Sequence, residues 1–541
     1  MNTVRILYHL ARADFLERVR RYSFLLTLAA TVYLGYAVIV DDVKLRFGDY
    51  RGVNNSAWVG LQMAMCATIF VSLAGFYVVK NTVDRDIQTR VGQILATTPI
   101  DKLDYLFGKG LSNLAVMAVI VLVLAVAAVV GQFWAGQDLR VELWPLLAPF
   151  LLIALPALAF VAALAVFFET LPGLRGGFGN VMYFFLWIFL LAYGPEAHNA
   201  FADCLGFGLL ESYMKVGLYA QLPDYHGGMG IGILAGLHSY KSFLWEGFAW
   251  RIDLVSMRLY WFALALGLIL LAAAFFDRFD PARGLFRDRA PSPERTRRHL
   301  FSGWRERRAK AITLSSSAPA NGAGTLKTRL HLPPLDAAPA QPRSGTLLLA
   351  ELRLMLKGQR WWWYAGAAGL LIAALASPAE SARQDLLPWI WLWPVLLWSA
   401  MGTREARHQT DQLIFSAAYP VRRQFPAMWL AGVIVALLTG AGVALRVILA
   451  GDWAGLLGLS VGAIFIPTLA LAFGVWSGTS KLFEVVYTIW WYAGPLNHVP
   501  GLDFMFTSPK SFSDHTLWSY LAATVVLFGC ALLGRKRQIQ V

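Results

Sequence analysis

The chain has 541 residues, of which 57% are hydrophobic and only 15% charged, with a formal net charge of +14. A dissolved fold draws about a quarter of its residues from the charged types to cover its surface. This chain lacks that cover, which excludes a soluble enzyme. Its basic excess reads as membrane topology rather than nucleic-acid binding, because no recognition motif accompanies it.

Cys66, Cys204 and Cys530 are too few for a disulfide framework, and two of them fall in apolar runs. Apolar stretches near the length needed to cross a bilayer recur along the chain. In the first half they fall at about 23–40, 57–79, 111–134, 143–168, 179–193 and 255–276. In the second they fall at about 361–377, 386–401, 426–450, 454–476, 482–494 and 516–534. The expectation is an all-α polytopic membrane protein with about twelve transmembrane helices. The fifth stretch of each group is short and ends at Gly-Pro (Gly194-Pro195, Gly494-Pro495), as a partial or re-entrant helix would.

Lysine and arginine set the expected orientation. Arg5, Arg12, Arg18, Arg20 and Arg21 precede the first stretch, and Lys80, Arg85, Arg90, Lys102 and Lys109 lie between the second and third. Arg535, Lys536 and Arg537 follow the last. With alternating crossings all of these share one side, so both termini are expected in the cytoplasm of a bacterial inner membrane. The opposite-side segment 194–254 is acid-rich. The first stretch follows a charged helix and lacks a small-residue cleavage site, so it is expected to remain as an anchor. Residues 277–345 separate a unit at 1–276 from a unit at 346–541. This linker is Arg-rich at first (Arg287, Arg289, Arg295, Arg297, Arg298) and rich in Ser, Ala, Pro and Gly from Ser315. It is expected to be a flexible tether whose basic part meets anionic membrane lipids.

The two halves repeat each other in register. Ala11 to Arg18, then Arg21-Tyr22, precedes the first stretch; Ala350 to Lys357, then Arg360-Trp361, precedes the seventh. Apolar residues four apart (Ala11, Phe15, Val19; Leu348, Leu352, Leu356) suit helices lying in the membrane interface. After the second stretch of each half comes a polar run of equal length from acid to proline. One runs from Asp84-Arg85-Asp86 through Arg90 to Thr97-Thr98-Pro99, the other from Glu405-Ala406-Arg407 through Asp411 to Ala417-Ala418-Tyr419-Pro420. The fifth stretches share Val181, Tyr183 and Trp187 with Val485, Tyr487 and Trp491. Three matches in one order predict a duplicated six-span unit. An even span count makes the copies parallel, with a pathway between them.

Several chemistries have no footing. No phosphate-cradling G-x-x-x-x-G-K-[ST] occurs, so the chain is not expected to bind or split ATP itself. No H-E-x-x-H or G-x-S-x-G is present. Glu169, Arg258, Arg446 and Glu484 fall near the ends of stretches, where snorkelling is the expectation. His198, His226, His238, His498 and His515 are irregularly spaced, and no metal site is expected from them.

An interfacial helix, six spans, a polar segment between spans two and three, and a broken fifth segment together resemble the membrane subunit of type-2 ABC exporters, here with two subunits fused. The resemblance implies that the polar segments are coupling helices docking on two copies of a cytoplasmic ABC ATPase, which would hold the ATP and magnesium. It assigns docking to Asp84, Arg85, Asp86 and Arg90, and in the second copy to Glu405, Arg407 and Asp411. The second copy departs from the family pattern at Ala417-Ala418-Tyr419. The exporter reading makes the chain a permease without its own catalytic residues. Tyr183, Phe184, Phe185, Trp187, Tyr487, Trp490 and Trp491 would line the pathway, and such walls suit an apolar or amphipathic molecule. The longer segment 194–254 of the first half is expected to be a lid, a cap or a landing site for an outer-side partner. The competing classes are a membrane-embedded lipid-modifying enzyme, with the outer histidines and Asp224 as its candidates, and a non-catalytic scaffold.

Overall fold

The computed structural model of the chain describes residues 3–138, 140–196, 201–221, 229–233, 241–279, 344–357, 359, 361–408, 410–416, 419–499, 501–508 and 514–540. Nearly all of the linker lies outside these. The described residues are mainly helical. Among the described residues, seven helices are long and apolar enough to cross a membrane, or eight if one bent pair counts as a single span. The chain is therefore a mainly helical, multi-pass membrane protein.

The first half opens with α1 (Thr3–Val19) and α2 (Tyr22–Ile39), bent against each other by 74°. The first long run is α3 (Ser56–Phe70), capped by the Asn55 side chain, which accepts from Trp58 N. It continues through a π-turn at Val71–Gly75 into α4 (Phe76–Val79). Two short helices follow, α5 (Thr82–Gln88) and α6 (Val91–Thr97), joined at Arg90 with φ 61°. They form an elbow. Next come α7 (Lys102–Ala135), then α8 (Leu143–Pro149) and α9 (Leu155–Thr170) joined by a second π-turn, then α10 (Gly177–Glu196). α10 continues through Gly194-Pro195 instead of ending there. The half closes with α11 (Phe207–Gln221) and α12 (Ile252–Phe275).

The second half has more interruptions. α13 (Ser344–Leu356) leads to α14 (Trp361–Ala376) and the one-turn α15 (Ala379–Ser381). The stretch at 386–401 is no single span. A π-turn at Ala382–Leu386 and Pro394 divide it into α16 (Leu387–Leu392) and α17 (Val395–Ser399), because proline lacks the amide a helix interior needs. The second elbow is α18 (Arg404–His408) and α19 (Asp411–Phe415). It leads into α20 (Pro420–Leu449), α21 (Trp453–Ser477), α22 (Lys481–Trp491) and α23 (Asp514–Gln540). Here Gly494-Pro495 does fall at a break, in a π-turn after α22.

Described parts of 194–254 pair with the connection after α2. Strands β1 (Val43–Phe47), β2 (Tyr50–Gly52), β3 (Met229–Ile233) and β4 (Lys241–Phe243) form one sheet of order β3-β1-β2-β4. β1 pairs antiparallel with β2 and β3, while β2 and β4 run parallel. The sheet was not foreseen in the sequence, since β1 and β2 are short. Phe47, Trp58, Phe207, Leu210, Phe243 and Trp245 pack beneath it as a satellite core.

Arg258 of α12 ties this cap down. It is wholly buried rather than snorkelling, and it donates to Asp203 O (2.7 Å) and Cys204 O (2.8 Å). The Asp203 carboxylate in turn accepts from the amides of Gly206, Phe207 and Leu209 at the start of α11. Replacing Arg258 with Ala strands two buried carbonyls, so Arg258→Ala should cost about 3 kcal/mol or more of stability. Thermal unfolding in detergent checks this; an unchanged midpoint would show that Arg258 does not anchor the cap.

Candidate functional site: the elbows and the seam between the halves

Each elbow is held by charge. Glu169, at the last turn of α9, is fully buried. Its carboxylate accepts from Asn81 N (2.6 Å), Thr82 N (3.1 Å), Val83 N (2.5 Å) and Asp84 N (3.2 Å). These are the orphan amides at the start of α5, where a negative charge also meets the helix dipole favourably.

The charged residues of the first elbow turn inward. Asp86 is buried and bonded to Lys109 Nζ (2.8 Å) and Tyr105 Oη (2.7 Å). Arg85 bridges Asp14 Oδ1 (3.0 Å) and Glu17 Oε2 (2.5 Å) on α1. Asp14 also pairs with Lys109 (2.8 Å) and with Arg18, and Arg18 reaches Asn113. The network therefore welds α5 to α1 and α7. Asp84 is half-buried, and Arg90 is exposed.

The second elbow uses fewer charges. Glu405 is buried and accepts from Arg535 Nη2 of α23 (2.7 Å) and from Gln424 Nε2 of α20 (2.8 Å). Arg404 pairs with Glu351 of α13 (3.2 Å). Burial raises the Glu351 carboxyl above its ordinary value against the opposing pull of Arg404. Arg407 is exposed and Asp411 half-buried. Both elbows also present apolar side chains outward: Ile87, Val91 and Ile94 on the first, Leu413 and Tyr419 on the second.

The aromatic residues expected along a pathway pack tightly here. Tyr183 stacks on Phe76 and donates its hydroxyl to Ser72 O (2.5 Å). Trp187 Nε1 donates to Ser72 Oγ (2.9 Å). In the second half, Tyr487 donates to Trp391 O (2.9 Å) and Trp491 Nε1 to Pro388 O (2.8 Å). Trp490 Nε1 donates to Leu502 O (2.8 Å). The acceptors lie in or beside the interrupted helices, where broken turns free carbonyls for side-chain donors. The two halves meet through these same residues: Phe184 faces Tyr492 at 6.0 Å, and Phe185 faces Trp389 at 6.2 Å and Trp491 at 5.9 Å.

The donors and acceptors fall in matching places. Asp86 and Glu405 are as many residues apart as Tyr105 and Gln424, and as the acceptors Ser72 and Trp391, although the acid-to-proline runs set Glu405 opposite Asp84, two residues away. Tyr183 and Tyr487 share their separation with Trp187 and Trp491, and with Asn180 and Glu484. Asn180 and Glu484, both buried, bond to each other across the seam (Nδ2 to Oε2, 2.5 Å). Asp14, Lys109 and Arg535 stood out in the sequence only within the repeat or as topology charges, not as partners of the elbows; Asn113 and Asn180 gave no signal beyond a polar residue inside an apolar stretch.

His198, His226, His238 and Asp224 lie outside the described residues. His498 Nδ1 bonds Thr507 Oγ1 (3.0 Å), and His515 is exposed. Among the described residues no group of three or more His, Cys, Asp or Glu is placed to hold a metal ion, and the three cysteines are free. No protein-family model matches the chain, and no curated protein matches it.

Asp14 is shared by three cations, so its neutralisation leaves buried positive charge unbalanced. Asp14→Asn should lower stability by about 3–5 kcal/mol. The exposed pair partner Glu17 provides the control, since Glu17→Gln should change little. Denaturant or thermal unfolding of the three proteins checks the contrast, and equal stabilities would contradict the network.

Proposed function

We propose that the chain is the permease of an ATP-driven exporter of the type-2 ABC class, with two membrane units fused in one polypeptide and its ATPases supplied by a separate protein. In this reading 1–276 and 346–541 are pseudo-symmetric six-span units with both termini in the cytoplasm of a bacterial inner membrane. Support for the duplication comes from the matched hydrogen bonds: Tyr183 and Tyr487 to a broken helix, and Asp86 and Glu405 to the helix after each elbow. Stretches counted as spans in the sequence but too short or broken in the fold (Gly177–Tyr193, 386–401 and 482–494) would then line or brace the seam, whereas Trp361–Ala376, in which only Trp363 and Ala374 are buried, stays at the periphery.

The observation that carries the reading is the outward face of the elbows. Asp86, Glu405 and Arg85 are spent on internal pairs, yet Ile94 and Leu413 stand 66% and 76% exposed on elbows that also carry the exposed Arg90 and Arg407. Apolar side chains rimmed by arginine are the usual surface of a protein contact. The docking surface is therefore Ile87, Arg90, Val91 and Ile94 on one elbow and Arg407 and Leu413 on the other, with Asp86 and Glu405 as braces. ATP-driven closure of two ATPases would draw the elbows together and rock one half on the other. Nucleotide shifts that equilibrium only through differential affinity for the two arrangements. The seam's aromatic, nearly uncharged walls suit an apolar or amphipathic cargo.

Affinity purification from the native membrane should recover a soluble ATPase. Ile94→Asp together with Leu413→Asp should reduce its recovery at least about tenfold, as loss of contact hot spots does. Recovery unchanged by those substitutions, or ATP hydrolysis by the chain alone, would contradict the reading.

A further inference from the structure

The seam is polar at one place only among the described contacts between α10 and α22, and that place is lopsided. Lys481, the first residue of α22, reaches out of the second half. Its Nζ donates to Tyr77 O (3.1 Å) and Lys80 O (2.7 Å), the last carbonyls of the α3–α4 run in the first half. The amides four residues further on, Asn81 N and Asp84 N, are turned to Glu169, so these carbonyls are left for an outside donor. A cation there also complements the helix dipole. One turn on, Glu484 accepts from Asn180, whose Oδ1 accepts from Lys80 Nζ (2.8 Å). Lys80 donates further to Leu174 O and Gly176 O before α10. A side chain at Gly177 would collide with the Glu484 carboxylate, so glycine permits this approach.

The contact is not returned. By the separation that relates Tyr183 to Tyr487, Gly177 stands where Lys481 stands, and Asn180 where Glu484 stands. Glycine has no side chain to send into the second half. Lys80 also immediately precedes the segment 81–84 whose amides Glu169 gathers. The start of the first elbow is thus gripped from two sides, by Glu169 of its own half and by Lys481 of the other.

We propose that Lys481 and Glu484 are positioning residues that tie movement of the second half to the first elbow, making the two elbows mechanically unequal. The clamp itself stands on the contacts above; its consequence for ATP-driven movement rests on the exporter reading. Breaking it loosens α5 without touching the docking face, and leaves the second elbow as it was.

Hydrogen exchange of the full chain in lipid nanodiscs tests this with no partner needed. Lys481→Met keeps the length of the side chain but removes its donors, and should speed exchange in 82–88 about tenfold with 404–415 unchanged. Lys481→Arg should restore slow exchange. Unchanged exchange at 82–88, or equal loosening of both elbows, overturns the proposal. If Lys481→Met is not recovered folded, Glu484→Ala reads the same two peptides. A second arm adds the co-purified ATPase. The Lys481→Met chain should still capture it yet lose most of the membrane-subunit-dependent stimulation of hydrolysis, and stimulation retained despite loosened 82–88 overturns the transmission. Failure of the wild-type chain to capture any ATPase counts against the exporter reading and leaves the exchange result to decide the clamp.

Discussion

A carboxylate placed inside an apolar helix bundle is tolerated only where donors surround it, and this requirement organises the protein. Glu169, Asp86, Glu405, Glu484 and Asp203 are all buried. Each meets either a set of orphan helix amides or one or more specific side-chain donors. Removing the partner would leave a charge in a medium that solvates it poorly. Such a group therefore fixes geometry more strongly than an apolar contact, which can slide. The elbows are the parts fixed in this way: the first by Glu169 and the Asp14–Lys109–Asp86 network, the second by Arg535 and Gln424.

A second requirement concerns the backbone. Every interruption of a helix at membrane depth frees main-chain groups that lipid cannot satisfy. The π-turn at Val71–Gly75 is met by Tyr183 of α10, and Trp391 O, beside the break at Pro394, is met by Tyr487 of α22. This explains why residues that look like pathway walls are consumed by packing: their rings fill the seam while their polar tips close broken turns. The halves are held together by aromatic contact and a small polar clamp at Lys481, Glu484 and Asn180.

Much of this was legible in the sequence. Long apolar runs announce α7, α9, α12, α20, α21 and α23, because a helix of that length with so few charges is at home only in lipid or deep in a bundle. The equal spacing from Asp84 to Pro99 and from Glu405 to Pro420 placed both elbows, and the Tyr183 and Tyr487 motif placed the seam. What could not be read was direction. Asp86 and Glu405 looked like docking charges, and only the fold reveals their inward partners on α7, α20 and α23. Glu169, Arg258 and Glu484 looked like end-of-span residues with access to water, yet each is enclosed by a neighbour distant in sequence. The sheet was hidden because its strands are only three to five residues long and draw on segments far apart.

In the exporter reading the two elbows change their separation when a nucleotide-driven partner acts. Spin labels at Gln93→Cys and Gln412→Cys, both exposed, in a chain carrying Cys530→Ser, report that separation directly. With the co-purified ATPase present, the distance distribution should move to shorter values on adding a non-hydrolysable ATP analogue. The same distribution with and without nucleotide, in a complex that still binds it, would contradict the account.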